Sequence, residues 1–415
     1  MLFLIALIFL SKVSFGFIPG FPYQESFFIF QKGLHPFVNI FFNIIIGSIL
    51  VIQFFWKSNH HYLQNRFFKF YLFIFCLFLL AMTAVQVVLG DSIAPWWLQI
   101  SAALSACFTV LLFARVIPSE LSIIKFITLT QKISVMLCYL SLILLIFMPS
   151  LSFKGGRFIG VFKHIPYMVT TATLACVFLI YELFTKSNSR PRLIYLLISL
   201  AVAMTTLILT GTRSALFAVI LSYFLAFLFF PAKKAANQFI KVSVAFALVI
   251  ATVLFGQNIS QYAVELVRGE SAVGLRAAQD GIASRFDEFE RGYQIFAKSP
   301  IIGQGLLSKF GEINETDVGQ YNANKDPHNI LVSAGVIGGF GFIVLVFVGF
   351  VGLIAVSFKK LRSAPAEFKI LAIYVLTHIP ILFIYHVHLS LGGMADRFYW
   401  IVIGYMMINM RKQNS

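Results

Sequence analysis

Two arginines and a histidine stand where apolar runs begin: Arg213 in "LTGTRSALFAVIL", Arg285 in "SRFDEFERGYQIFAKSPIIGQGL" and His328 in "NANKDPHNILVSAGVIGG". A guanidinium grips a carboxylate or phosphate through a fork of N–H donors. A neutral imidazole, with an ordinary pKa near ~6.5, takes a proton from a hydroxyl nucleophile. Such residues are candidates for binding an anion and for accepting a proton. Arg213 follows a tight Thr210-Gly211-Thr212 turn, and an ionisable residue at bilayer depth is a functional candidate by default. An interfacial arginine extending its head into water is the alternative. On a helix Arg285 and Arg291 face different ways. Arg285 follows Ser284 at the expected helix start, whereas Asp287 and Glu288 precede Arg291 at ion-pair spacing. An ordinary interfacial helix with solvated charges fits that segment equally. Pro327 suits a first helical turn and Asp326 a cap before it, so His328 sits where a membrane helix meets water; a lone histidine is more often structural.

A further basic stretch, "FKGGRFIGVFKHIPYM" at 153–168, carries Lys154, Arg157 and Lys163 among glycines that allow close backbone approach. It reads as a receptor for an anion such as a lipid diphosphate, or as attraction to lipid headgroups. No HExxH, GxxxxGK[ST] or GxSxG motif and no Asp-x-Asp pair occurs, so no metal site is expected. The cysteines, Cys76, Cys107, Cys138 and Cys176, all lie in apolar runs without metal or disulfide spacing and read as small buried hydrophobes.

The elements that must position these groups follow from composition. Of 415 residues 59% are hydrophobic and only 12% charged, mean hydropathy is +0.88, and 48 residues are phenylalanine. That excludes an ordinary soluble domain, which carries about 25% charged residues. The net charge of +16 reflects basic residues flanking membrane helices, not a nucleic-acid partner. The expected fold is all-α and polytopic. Its twelve membrane helices lie near 1–18, 36–56, 68–89, 96–114, 132–150, 165–184, 193–210, 212–230, 240–257, 328–356, 368–388 and 398–410. The first lacks a basic flank and reads as a span with its N-terminus inside. Alternate connections carry Lys57, Arg66 and Lys69; Arg115, Lys125 and Lys132; Lys186, Arg190 and Arg192; Lys233, Lys234 and Lys241; Lys359, Lys360, Arg362 and Lys369; and Arg411 and Lys412. These sides are therefore cytoplasmic. One large outer loop, 258–327, holds most of the acidic residues. It shows helical spacing in "QYAVELVRG" and at Phe286, Phe289, Tyr293 and Phe296, which predicts amphipathic helices lying on the membrane face. So long a loop is uncommon without a function.

Taken in order, "GGRFIGVF", "TGTRSAL", "SRFDEFERGYQIFAKSPIIGQGL", "PHNILVSAGVIGG" and "ADRFYW" resemble the O-antigen ligase and polymerase superfamily of bacterial inner-membrane proteins. The resemblance covers the C-terminal part of the chain. It implies N-terminal transmembrane helices over 1–150 and a ligase-related membrane domain over 151–415, including the periplasmic loop 258–327. Two positions depart from the family pattern: Thr212-Arg213-Ser214 replaces Ser-Arg-Gly, and His164-Ile165-Pro166-Tyr167 replaces the usual Pro-Asn. The resemblance implies a metal-independent glycosyltransferase of the inner membrane with its active site facing the periplasm, needing no cofactor. Its donor would be an undecaprenyl-diphosphate-linked glycan, its acceptor the lipid A-core, its surroundings membrane lipids. His328, Arg213 and Arg285 take the catalytic roles; Arg157, Arg291, Asn329 and Arg397 contact substrate. A polysaccharide polymerase and a protein O-oligosaccharyltransferase share these features. A secondary transporter is the distant alternative. It would carry paired repeats and ionisable groups at mid-membrane, whereas only Lys12 and Glu182 fall within expected spans.

Overall fold

The computed structural model describes residues 2–10, 13, 66–89, 96–154, 157–162, 165–185, 189–230, 282–305, 329–382 and 394–408. Nearly all of them are helical. In chain order the helices are α1 (Leu2–Leu10), α2 (Arg66–Leu89), α3 (Trp96–Leu111), α4 (Ile123–Phe147), α5 (Ile165–Thr185), α6 (Arg190–Leu209), α7 (Arg213–Phe229), α8 (Ile282–Lys298), α9 (Ile330–Ser363), α10 (Ala366–Leu382) and α11 (Met394–Met406). Helix α3 continues through a π-turn, Leu112–Val116, into Ile117–Glu120. A small hairpin pairs β1 (Phe153–Lys154) with β2 (Arg157–Phe158). By length and composition α2, α4, α5, α6 and α9 could each cross a membrane, and α7 is apolar but shorter. The expected spans at 36–56 and 240–257, and the "QYAVELVRG" helix, lie outside the described residues.

The chain divides into two compact units. The first comprises residues 1–46, 121–280 and 357–378. Helix α5 is its centre, packed against α4, α6 and α7. Of its apolar window 89% is buried. Its sequence explains how polar residues survive there: Thr170, Thr171 and Thr173 each donate their hydroxyl to the carbonyl four residues earlier, at 2.7–2.8 Å. Glu182, 2% exposed, accepts from Arg192 Nε at 3.1 Å and Nη2 at 2.6 Å. Its second oxygen accepts from Gln131 Nε2 at 2.8 Å. One carboxylate thus ties α4, α5 and α6 together.

The second unit comprises residues 47–120, 281–356 and 379–415. Phe75 of α2 is its hub, with ring centroids 5.3 Å from Phe342 of α9 and 5.7 Å from Trp400 of α11. Gly404 of α11 lets that helix approach α3 closely, for a Cβ there would strike the Ala114 carbonyl and Pro118. All four cysteines are buried free thiols, as expected.

Three boundaries correct the sequence reading. Helix α4 begins at Ile123, not near 132, so Lys125 and Lys132 are helical and not part of a connection. The polar "TLTQK" lowers local hydropathy but does not stop a helix, and Ser122 caps its start by accepting from Lys125 N at 3.4 Å. Helix α8 starts at Ile282, ahead of Ser284. The third correction concerns α9, which is not one continuous span. Gly338 (φ −140°, ψ 21°) and Gly339 (φ 68°, ψ −164°) leave helical geometry entirely. Residues 330–337 form a short helix about 12 Å long, and residues 340–363 a separate one of about 36 Å. Ile330 and Val346 line the same apolar cavity of about 300 Å³, although a straight helix would hold them ~24 Å apart. The chain therefore bends at Gly338-Gly339 and does not run on as one straight helix.

Candidate functional site

In the first unit the connections bring two basic elements to one end. A short connection joins α5 to α6, so the C-terminus of α6 lies at the end where α5 begins. The hairpin leads into α5 there, and β2 packs against both helices. Gly160, at φ 55°, turns the chain just after β2 where any side chain would collide with Ser141 Oγ, and that hydroxyl accepts from Val161 N at 3.2 Å. Arg157 stands half-buried on β2, in register with position 154.

At the same end α6 stops at Leu209. Gly211, at φ 67°, turns the chain, and the threonines satisfy the loose backbone: Thr210 Oγ1 donates to Leu207 O at 2.7 Å and accepts from Thr212 N at 3.3 Å. Arg213 is then the first residue of α7. It is exposed, and it makes no hydrogen bond or ion pair with any described residue. A cation at a helix N-terminus meets the positive end of the macrodipole, an arrangement that disfavours folding by about 0.3–1 kcal/mol. Neither packing nor capping accounts for Arg213. An anion arriving there would find a guanidinium and helix N–H groups together.

In the second unit the break in α9 is built around the residues after α8. Helix α8 ends at Lys298, and Pro300–Gly305 runs against Val336–Phe340. The carbonyls freed by the break are met from outside the helix: Val336 O by Gln304 N at 2.7 Å, Ile337 O by Gly305 N at 3.2 Å and by Gln86 Nε2 at 2.9 Å. The freed Phe340 N–H reaches Pro300 O at 2.7 Å. Glycines are required on both sides. A Cβ on Gly303 would lie 2.6 Å from the amides of Gly338 and Gly339, and one on Gly339 would strike the Ile301 carbonyl. The proline-glycine element after α8 and the paired glycines of α9 are thus one structure.

Asn329 caps the short helix. Its Oδ1 accepts from Leu331 N at 2.9 Å and Val332 N at 3.1 Å. The cap is therefore Asn329 and not Asp326, because Oδ1 of Asn329 sits where the first free amides point. His328, immediately before the cap, lies outside the described residues. Arg285 and Arg291 are both on α8, their side chains outside the described set. Arg397 is buried on α11 at 3% exposure, its guanidinium 5.5 Å above the Phe113 ring beside the π-turn of α3. It lies within the packed helices and not at an open face. Among the described residues no cluster of His, Cys, Asp and Glu could hold a metal.

Sequence reasoning missed two features of this site. Gln86, 1% exposed within α2, was hidden in an apolar run. The α9 break was signalled only by adjacent glycines. The break falls in the sequence segment that also holds Arg213, Arg285, His328 and Asn329. Residues 197–347 match the O-antigen ligase family. This stretch is a domain of the O-antigen ligase family. Arg157 and Arg397 lie outside the match. None of the curated proteins matches the chain. Members of the O-antigen ligase family are glycosyltransferase-like membrane enzymes, which in general use a lipid-linked glycan donor and a lipid acceptor.

Proposed function

We propose that the chain is an O-antigen ligase, moving a finished glycan from undecaprenyl diphosphate to the lipid A-core at the periplasmic face of the inner membrane. The observation that carries this reading is that the O-antigen ligase match over 197–347 encloses Arg213, a guanidinium with no structural partner among the described residues. In the transfer, a core-sugar hydroxyl attacks the anomeric carbon of the donor. The bond from that carbon to the diphosphate oxygen breaks, and the lipid diphosphate leaves with the electron pair. Arg213 and Arg285 stabilise the charge that develops on the leaving diphosphate, the part a divalent metal plays elsewhere. His328, next to Asn329 in sequence, accepts the hydroxyl proton. Arg157 and Arg291 contribute to diphosphate binding. Arg397 of α11 is proposed to contact substrate, as is Asn329.

Purified protein given a polyprenyl-diphosphate glycan and lipid A-core, with and without EDTA, tests this directly. Metal-independent transfer to the core is expected, and transfer abolished by EDTA overturns the role given to the arginines. Lipopolysaccharide from a deletion strain separates the two family activities. A ligase leaves polymer accumulating on the lipid carrier; a polymerase leaves core bearing one repeat unit, and that result would replace the ligase reading.

A further inference from the structure

We propose that Gln86 is a positioning residue for this transfer, a single carboxamide that locks the loop after α8 to the break in α9. The proposal rests on the reaction put forward above. Its Nε2 spends both hydrogens on main-chain carbonyls of two different segments, Ile302 O at 3.0 Å and Ile337 O at 2.9 Å. Ile302 lies four residues beyond Lys298, the end of the helix that carries Arg285. Ile337 is the last helical residue of the short helix that begins after His328 and Asn329. The side chain thus joins the elements bearing two of the proposed functional groups, from a third element, α2, that bears none.

The setting explains why an amide is needed. Ile337 O has lost its helical donor because Gly338 and Gly339 leave the ladder. Ile302 lies in an irregular turn without a helical partner of its own. Gly305 N also donates to Ile337 O, at 3.2 Å; a carbonyl that loses its donors away from water costs about 1–3 kcal/mol, and a side chain with two donors on one nitrogen joins the two carbonyls to each other. Gln86 gains little for itself: it is 1% exposed, and its Oε1 has no hydrogen-bond partner among the described residues. A glutamine kept in an apolar span with half of its amide unsatisfied is there for its donors. Gly305 completes the fit. At φ 103° any Cβ would lie 3.0 Å from Gln86 Oε1 and 2.8 Å from Gln99 Nε2, so the loop approaches the amide closely enough only as glycine.

Gln86→Met and Gln86→Glu share the volume of glutamine but differ in what they offer the two carbonyls. Methionine offers nothing, and a carboxylate repels both. Hydrogen exchange on the purified full-length protein, read on peptides covering 300–305 and 338–342, should speed up about tenfold in Gln86→Met and further in Gln86→Glu. Peptides of α5 should be unchanged. In the transfer assay kcat should fall at least tenfold in the same order while the donor KM stays within about threefold. A role in packing alone predicts equal behaviour for all three similarly sized side chains, and that result overturns the proposal. So does wild-type turnover in Gln86→Met. If Gln86→Met fails to accumulate in the membrane, Gln86→Asn, an amide too short to reach both carbonyls, carries the same comparison. Wild-type protein inactive with the lipid-linked donor refutes the transfer reading itself, and exchange at the two peptides then decides the clamp independently.

Discussion

Gly339→Ala is the sharpest perturbation of the α9 break. Gly339 sits at φ 68°, ψ −164°, a region open essentially to glycine alone, where another residue costs about 1–3 kcal/mol. Its new Cβ would strike the Ile301 carbonyl. That carbonyl cannot withdraw freely, because its neighbours on both sides are tied: Pro300 O accepts from Phe340 N at 2.7 Å, and Ile302 O accepts from Gln86 at 3.0 Å. Relieving the clash means breaking these two bonds, each worth about 1 kcal/mol net. With about 2 kcal/mol of backbone strain, local opening becomes easier by about 4 kcal/mol, close to three decades in the opening equilibrium. Hydrogen exchange of the amides of Gln304, Gly305 and Phe340 reads that equilibrium directly. Gly352→Ala is the matched control. It lies in the same helix, and a Cβ there meets nothing within 4 Å, so the change should be neutral or stabilising by up to about 1 kcal/mol. Exchange in Gly339→Ala within threefold of wild type, or no faster than in Gly352→Ala, would refute the account of the break as a strained, loop-clamped turn.

Three further outcomes follow from the same geometry. Arg213→Ala should lower transfer by about 10²-fold or more, the usual loss for one electrostatic donor, with membrane abundance unchanged since the side chain is exposed and unpaired among described residues; a parallel loss of abundance would assign it a structural role. Asn329→Ala should lose about 1 kcal/mol of capping while Asn329→Asp keeps it, read as exchange of the Leu331 and Val332 amides. Arg192→Ala should destabilise more than Glu182→Gln, measured by thermal melting in detergent. It takes two charge-assisted hydrogen bonds from a carboxylate that is 2% exposed, whereas the Glu182→Gln amide oxygen still accepts from Arg192; with Arg192 itself 45% exposed, screening holds the cost to about 2 kcal/mol. Equal melting of the two variants would mean that Arg192 serves only solvent.

Much of this was legible from residue spacing. Phe289, Tyr293 and Phe296 recur at helical intervals, and α8 forms there. Thr210-Gly211-Thr212 announces a turn, and Arg213 emerges from it as a helix start. What spacing could not show was geometry made by distant partners. Two glycines in an apolar run are ordinary in a membrane helix, so "GVIGGFGF" gives no local sign that its ladder is broken; the break exists because Gln304, Gly305 and Gln86 supply donors from elsewhere. Asp326 and Asn329 are both good caps by type, and only the direction of Oδ1 chooses between them. Lys132 looked like the edge of a loop because hydropathy averages over side chains, while the helix is decided by backbone bonds and by the Ser122 cap. Arg397, assigned to substrate by the resemblance alone, is 3% exposed inside the helix packing, a placement that its type and spacing do not signal.

The two units solve the same backbone problem in different ways, and the difference sorts the expected effects of mutation. An apolar helix that stops or bends exposes N–H and C=O groups that a bilayer will not satisfy. At 210–212 the turn satisfies itself through its threonines, so Arg213 owes nothing to the local fold and its loss should touch chemistry alone. At 337–340 the break depends on a loop and on one glutamine from separate elements, so a change at Gln86, Gly303, Gly305 or Gly339 should disturb the frame first and turnover as a consequence. Abundance and exchange that fall together with transfer at Gly339, but not at Arg213, are what this division requires. The reverse pattern would mean that the guanidinium holds the fold and that the glycine break is incidental to it.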